Sequence, residues 1–562
     1  MSEAPLRIKQ GCWLIGLWLS VSGALAAQAT ISPADQDAIE RQQKALLEQA
    51  RQQRILLRDT VILPTLPLTA ADPVAETCQS VRRIVFQGAV HLSWSVKETL
   101  SRPYQGRCLT LANINRLVHQ TTNAYLQRGY VTSQAYLQEQ DISTGVLTIS
   151  ISEGRIASIS LDGEKTLALK MAFPAMVGDV LNLRDIEQGM EQLNRLPSQQ
   201  VSIDIQPASE AGYSNVVLQR TTARWPLAFA VSADNSGQKS TGSGQINTSV
   251  TVDNPLHLAD QWSFAASRNN DFSHNHRSRS FSGNLTMPYG YWLFSYQYAR
   301  NDFFQNIPFN GDAYRYQGYS QTQRVGVNRT LLRDGSHKLA VDIGLTQRTT
   351  ENRLAGQRLE VSSPRLSILN VGGSYSTVAG RGYLTLNPQV SHGLHMLGAN
   401  KDDPQYRSVP RSEFRKFSIS ASYFYPLTSS LYYLTSAYGQ TSADNLYSSE
   451  RISVGGQYSV RGFKEQYLTA NRGAYWRNEL NWQPDSSGFA FGEFSLTGAL
   501  DGGWVQGKTE QAEGGNVAGM AAGITVNHRW FNHSITVGKP LIYPDRLHPD
   551  RWVAYWQAAV TL

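Results

Sequence analysis

From about residue 223 to the end of the chain, apolar and polar side chains alternate with a period of two. Phe417, Ile419, Ala421, Tyr423 and Tyr425 share one face, and Ser418, Ser420 and Ser422 the other. Trp292, Phe294, Tyr296 and Tyr298 alternate with Leu293, Ser295, Gln297 and Ala299; Ala554, Trp556, Ala558, Val560 and Leu562 alternate with Tyr555, Gln557 and Thr561. A two-residue period is the side-chain repeat of a β-strand. Aromatics on one face against small polar residues on the other fit a membrane β-barrel with lipid outside and water within. Short turns such as Asp253-Asn254-Pro255 and Met287-Pro288-Tyr289-Gly290 are expected to alternate with longer polar loops such as 266–280 and 394–414. About 340 residues, at roughly 20 per strand and loop, predict about 16 antiparallel strands over 223–562. A soluble β-sandwich is the alternative, and the alternation kept through the last strand to Leu562 argues against it.

Upstream the period becomes mixed. In residues 76–156, Arg82–Gln87 reads as a strand ending at Gly88, and Leu111, Ile114, Leu117, Val118 and Tyr125 recur at helical spacing up to Gly129. Val131–Leu137 and Val146–Ser152 read as strands split by the turn Ser143-Thr144-Gly145. Residues 157–222 repeat the order: a strand at Ile159–Leu161, a helix marked by Ile186, Met190 and Leu193 that stops at Pro197, and strands at Val201–Ile205 and Val216–Leu218. Two consecutive units of strand, helix, strand, strand predict two α+β domains. Residues 58–75, with Pro64, Pro67 and Pro73, predict an extended linker. Residues 32–57 predict a helix whose apolar stripe, Ile39, Leu46, Leu47, Ala50 and Leu57, is thin. A helix polar nearly all round bridges other elements or lies in a wet cavity; a solvated N-terminal extension is the alternative.

The N-terminus supplies the compartment. Arg7 and Lys9 precede a short apolar run from Cys12 to Ala26 that closes on Ala24-Leu25-Ala26. This is the pattern of a secretory signal peptide, residues 1–26, removed near Ala26 together with Cys12. Cys78 and Cys108 remain, an even pair that in an oxidising compartment predicts a disulfide, with two buried thiols as the alternative. A chain of 562 residues implies several domains. Mean hydropathy is −0.34, and no apolar run of about 20 residues follows the signal peptide, which excludes a bundle of transmembrane helices. The net charge of +7 is scattered without a dense Lys/Arg run, which excludes a nucleic-acid-binding surface. There is no Gly-x-Ser-x-Gly elbow, His-Glu-x-x-His helix or phosphate cradle, and the 11 histidines have no ligand spacing. No catalytic residue, metal or cofactor is therefore expected, and the protein is not expected to be an enzyme.

One segment of the alternating tract breaks the rule. Residues 442–474 are too long for a hairpin turn. They carry Gly455-Gly456 and Val460-Arg461-Gly462-Phe463 and are followed by Arg477-Asn478-Glu479-Leu480. Farther on, Gly498-Ala499-Leu500-Asp501-Gly502-Gly503 supplies a carboxylate on a strand. Strand period turns Phe494, Leu496, Leu500 and Trp504 to lipid, and Glu493, Ser495, Thr497, Ala499, Asp501 and Gly503 to the lumen. Gly498, Gly502 and Gly503 are expected to let a loop backbone approach the wall.

Together these segments resemble the lid loop and wall lock of outer-membrane two-partner secretion transporters, the haemolysin and filamentous-haemagglutinin transporter family. The likeness extends to Gly129-Tyr130-Val131-Thr132-Ser133, Gln140-Asp141, Gly145-Val146-Leu147, Glu153-Gly154-Arg155 and Asp234-Asn235-Ser236-Gly237. One departure is Leu562, where an aromatic is usual. The resemblance implies a plug helix at 32–57, POTRA domains at 76–156 and 157–222, and a 16-stranded barrel at 223–562. It assigns Val460, Arg461, Gly462 and Phe463 to the lid-loop motif and Asp501, with Gly503, to the wall lock. It implies a monomer in the bacterial outer membrane, in contact with its lipid, with the POTRA domains in the periplasm. The partner would be an unfolded, β-helical exoprotein of haemolysin, adhesin or contact-dependent toxin type. It would be recognised through its N-terminal secretion domain and secreted without ATP. An insertase for outer-membrane proteins is the alternative.

Overall fold

The structure is a computed structural model that describes residues 31–58, 77–222, 224–403, 405, 409–485, 492–507, 514–528 and 530–561. The signal peptide at 1–26, nearly all of the linker at 58–75 and the terminal Leu562 lie outside the described residues.

Helix α1 (Pro33–Arg58) starts where the sequence provides a start: the Ser32 hydroxyl accepts the Asp35 amide at 3.2 Å, and Pro33 opens the first turn. Its Gln, Glu, Arg and Ala residues are strong helix formers. No described helix is long and apolar enough to cross a membrane.

The first α+β unit runs β1 (Gln79–Val81), β2 (Arg83–Gln87), α2 (Trp94–Ser101), β3 (Arg107–Leu109), α3 (Leu111–Leu126), β4 (Gln134–Tyr136) and β5 (Val146–Ser152). Its main sheet has the order β2-β5-β4, with β2 and β5 parallel, and β1 pairs with β3 alongside. The second unit runs β6 (Arg155–Leu161), α4 (Leu167–Ala172), α5 (Leu183–Asn194), β7 (Val201–Pro207) and β8 (Tyr213–Arg220), with sheet order β6-β8-β7. Thr110, Thr166 and Asn182 cap α3, α4 and α5 through their side-chain oxygens. The helical stripes expected from sequence fill the cores: Leu117 and Tyr125 against Leu147 and Ile149, and Ile186 and Leu193 against Val216 and Leu218.

Three readings need correction here. Each unit holds two helices rather than one, because α2 and α4 are too short to show a repeat. The strand expected at Val131–Leu137 is reduced to Gln134–Tyr136, since the chain first turns back on α3 through Tyr130 N to Tyr125 O at 3.1 Å. Arg155 and Ile156 pair with Tyr213 and Ser214 and so belong to the second sheet.

Cys78 and Cys108 are joined, with Cα atoms 5.2 Å apart across the β1–β3 ribbon. Labelling of denatured, unreduced mature protein should find no free thiol. Reduction should cost about 3–4 kcal/mol of stability, the loop-closure value for such a ring; stoichiometric labelling would contradict the pairing.

Beyond β8 a closed antiparallel barrel of 16 strands runs from Leu227–Asp234 to Val553–Thr561, each strand pairing with its sequence neighbours. The last strand returns to the first through Gln557↔Asp234 to Thr561↔Ala230. A two-residue segment, Gln357–Arg358, adds to the edge of His337–Leu354. The alternation sets the two faces: along Arg415–Pro426, Ser418, Ser420 and Ser422 are buried inward while Phe417 and Ile419 are exposed outward. Two loop expectations fail. Segment 266–280 is mostly strand, in Gln261–Asn269 and His276–Tyr289, and Met287, Pro288 and Tyr289 are also strand, the turn being Gly290 and Tyr291. These strands continue past the apolar band, where polar residues no longer signal a loop.

The second unit sits on one rim of the barrel, called the near end below. The Glu191 carboxylate on α5 meets Arg333 and Lys338, Tyr291 donates to Asp185, and Gln192 donates to the Gly290 carbonyl at 3.0 Å. In the turn after α5, the Ser198 hydroxyl and amide both reach Asp253. Burial pushes the Glu191 carboxyl up, but Lys338 and Arg333 together outweigh it and hold it below its ordinary value.

Candidate functional site

Helix α1 lies inside the barrel. Its N-terminus meets the far-end loop after the first strand, where Gln238 donates to the Pro33 carbonyl at 3.1 Å. Its last turns lie toward the near end, where Arg54 stacks 4.5 Å above Phe424. Between them Gln49 and Gln53 donate to Asn387 on the inner wall. At 26 residues the helix is about 39 Å long, enough to run through a barrel wall of membrane height. Its polar surface is explained by the polar wall that it faces.

The long segment after strand Leu431–Ser442 also folds into the lumen. Ile452–Val454 and Leu468–Ala470 pair as a small hairpin whose tip carries the motif. Val454, Val460 and Phe463 are fully buried. Gly462 has φ +102° and touches Lys539, so a side chain there would be strained and would clash at 2.6 Å. Arg461 reaches the strand Glu493–Val505. Its Nε lies 2.6 Å from Asp501 Oδ2 and its Nη2 2.7 Å from Asp501 Oδ1, and its backbone amide donates to the same carboxylate at 3.1 Å. This is a bidentate pair with the Asp501 side chain 0% exposed.

Two further charges complete the cluster. Glu479 accepts from Arg461 Nη1 at 2.9 Å and from Arg477 at 2.8 Å, and Arg477 also donates to the Gln457 carbonyl. Two guanidinium groups therefore face two carboxylates, which is how buried charge is tolerated away from water. The arrangement holds a loop against a wall.

The wall is built for close approach. A Cβ on Gly503 would meet Val454 at 2.5 Å, one on Gly519 would meet the Arg461 carbonyl oxygen at 1.8 Å, and one on Gly538 would meet the Gly462 nitrogen at 2.7 Å. Gly498 and Gly502 do not share this role: neither has a loop atom within 4 Å, because strand period turns them outward. The hydroxyl of Tyr555, inward on the last strand, donates to the Phe463 carbonyl at 2.7 Å. At the base of the loop Glu450 accepts from Lys416 and Arg348, each at 2.6 Å.

Helix and loop hold each other. Gln43 donates to the Ser453 carbonyl at 2.8 Å, and Ser448 donates to Asp35 at 2.9 Å. Val460, Arg461, Gly462, Phe463, Asp501 and Gly503 thus come together, while Cys78 and Cys108 lie in the first unit, remote from them. The contributions of Glu479, Gly519, Gly538 and Tyr555 were not foreseen. Glu479 and Tyr555 had a usable signal in their inward parity; the glycines had none without the loop in place. Among the described residues no group of three or more His, Cys, Asp or Glu could hold a metal ion.

Residues 212–526 match the haemolysin secretion/activation protein family ShlB/FhaC/HecB, residues 80–154 the ShlB-type POTRA domain, and residues 155–207 a POTRA domain. The outer membrane transporter CdiB of Dickeya dadantii is 41% identical over 96% of both chains. The hemolysin transporter protein ShlB of Serratia marcescens is 28% identical over 91% of this chain and 90% of its own. The structure of CdiB from Escherichia coli is similar with a TM-score of 0.92 and 40% identity, covering 95% of this chain and all of that one.

Proposed function

Because the chain belongs to the haemolysin secretion/activation family ShlB/FhaC/HecB, we propose that it takes an unfolded partner exoprotein at its POTRA units and passes it through the barrel. It is an outer-membrane transporter of a two-partner secretion system, with its POTRA units on the periplasmic side. The near end is then periplasmic and the far end extracellular. Its partner is a secreted exoprotein, which we take to be β-helical, of haemolysin, adhesin or contact-dependent toxin type, with an N-terminal secretion domain.

The observation that carries this reading is the kind of stopper the barrel holds. Helix α1 meets the wall and the loop largely through polar contacts, glutamines on Asn387 and bonds to the loop residues Ser448 and Ser453, together with Arg54 over Phe424, and its apolar stripe is thin. Each such hydrogen bond is worth only about 0.5–1.5 kcal/mol net, because water can replace it. A stopper seated that way can be exchanged for an extended chain, whose backbone the polar wall can also satisfy. Recognition is assigned to the POTRA sheets, whose outer strands β2, β4 and β7 pair on one side only and can accept an added strand; the outer edge of β6 is covered at its start by residues 178–180. Release outward would be driven by folding of the exoprotein outside, which needs no nucleotide.

A fragment of residues 76–222 should bind the unfolded secretion domain of the partner in solution. No binding at roughly tens of micromolar would move recognition to the barrel. Co-expression with the partner should place the exoprotein in the medium, and retention in the periplasm of cells that hold a folded barrel would contradict secretion itself. The insertase alternative predicts instead a loss of other outer-membrane barrels when the gene is removed.

A further inference from the structure

On the outside of the barrel, the strands Gln261–Asn269, His276–Tyr289, Trp292–Phe309 and Asp312–Arg333 are ordered by height. Near the periplasmic rim stand Tyr289, Trp292 and Arg329, with the Arg329 guanidinium 4.6 Å above the Trp292 ring. Above them comes an outward apolar band that includes Phe294, Tyr296, Phe264 and Val325, all exposed. Above the band the outward positions include five arginines. Arg268 stands opposite Arg279, which faces Asp302 on the third strand; Arg277 stands opposite Phe304, Arg300 one outward step below Asp302, and Arg315 on the fourth strand opposite Asn306. Along a tilted strand the rise from Trp292 is roughly 20 Å to Arg300, about 25 Å to the level of Arg268 and Arg279, and about 30–35 Å to the levels of Arg277 and Arg315, so the patch begins at the outer edge of the hydrocarbon layer and extends into the headgroup region.

The five arginines share one carboxylate and so are only partly neutralised among the described residues. Asp302 bonds Arg300 at 3.0 Å and lies 3.6 Å from Arg279. Arg268, Arg277 and Arg315 have no carboxylate partner among the described residues. Their guanidinium groups are held in place by aromatic rings instead: Arg268 over Phe272 at 4.6 Å, with Arg277 and Arg315 on Phe304 at 5.1 and 4.2 Å. Arg277 also lies within electrostatic reach of Arg268, Arg279 and Arg315, and more weakly of Asp302. Its buried Nε has no hydrogen-bond partner, and a buried donor left so is costly. Like charges held together beside an unpaired donor are stabilised by an anion bound between them.

We propose that this patch is a binding site for a phosphorylated glycolipid headgroup of the extracellular leaflet, with its acyl chains lying against the apolar band below. The inference rests on the outer-membrane placement and is independent of secretion. The arginines span four adjacent strands, about 14 Å at the usual strand spacing. That is wider than one phosphate and suits a headgroup with two separated phosphates.

The test uses the full mature chain, delipidated in detergent and titrated with bis-phosphorylated lipid A, its dephosphorylated form, and phosphatidylglycerol, with occupancy read by native mass spectrometry. The triple variant Arg268→Gln/Arg277→Gln/Arg315→Gln should weaken binding of bis-phosphorylated lipid A at least about tenfold, given the contribution of basic residues near an anionic surface. Raised salt should weaken it further in the wild type. Arg415→Gln, at the same rim on another face, should bind as the wild type does, and heat-modifiable migration reports whether each barrel is folded. Equal binding by a folded triple variant would overturn the proposal, as would equal binding of the dephosphorylated lipid. Equally tight, equally arginine-dependent binding of phosphatidylglycerol would overturn the assignment to a glycolipid.

Discussion

Arg461→Ala should abolish or sharply reduce secretion while the barrel still folds and inserts. The variant removes a guanidinium that is 6% exposed and leaves Asp501, at 0%, with no side-chain cation. Removing one partner of a buried pair typically costs about 3–5 kcal/mol, because the remaining charge is stranded away from water. That cost falls on the docking of the loop and not on the barrel ladder, so the loop should leave the wall while the strands persist. Asp501→Ala should act in the same direction and somewhat less, since Arg461 keeps Glu479 at 2.9 Å. The double variant should be little worse than Arg461→Ala alone. Exoprotein in the medium measures secretion, and heat-modifiable migration measures the fold. If the two defects simply add, Arg461 and Asp501 do not act as one lock, whatever their distance.

Deleting residues 33–58 should raise single-channel conductance severalfold in planar bilayers. An α-helix with side chains occupies a column about 10–12 Å across, and α1 runs through the lumen against the inner faces of Trp292–Phe309, Arg365–Ala379, Gly382–Leu394 and Arg415–Pro426. Its removal also takes away Gln43 and Asp35, which bond the loop at Ser453 and Ser448. The open state should therefore fluctuate more than that of a barrel that has lost only a cylinder of volume. Conductance equal to that of the intact chain would show that α1 does not lie in the pore in a membrane.

How much of this was legible in the sequence depended on how far a physical constraint reached along the chain. Lipid on one side and water on the other force every spanning strand to alternate, so Phe417 to Tyr425 and Ser418 to Ser422 announced the barrel. Beyond the bilayer that force ends, and residues 266–280 read as a loop although most of them pair. Helices α3 and α5 were visible because several turns bury the same face; α4, with six residues, has too few turns for a period. The pairing of Arg461 with Asp501 spans 40 positions and was suggested by family likeness and strand parity together. Gly519 and Gly538 could not be read as a wall, because what they exclude is a loop that reaches them only in three dimensions.

The seat of the second POTRA unit on the rim sets a mechanical condition on transport. Helix α5 is pinned through Asp185, Glu191 and Gln192, and the turn after it through Ser198. The first unit is in turn bonded to the second, with the Leu183 amide on the Gly129 carbonyl and Asn182 on the Arg128 carbonyl. Chained contacts of this kind seat the arm against the pore in this structure. Held so, the arm is a bracket that offers its edges at one distance and one angle from the entrance. Any slack needed to carry a captured segment from bracket to pore has to be supplied by the cargo, so the minimum length of unfolded chain ahead of its first folded element becomes a property that the transporter imposes.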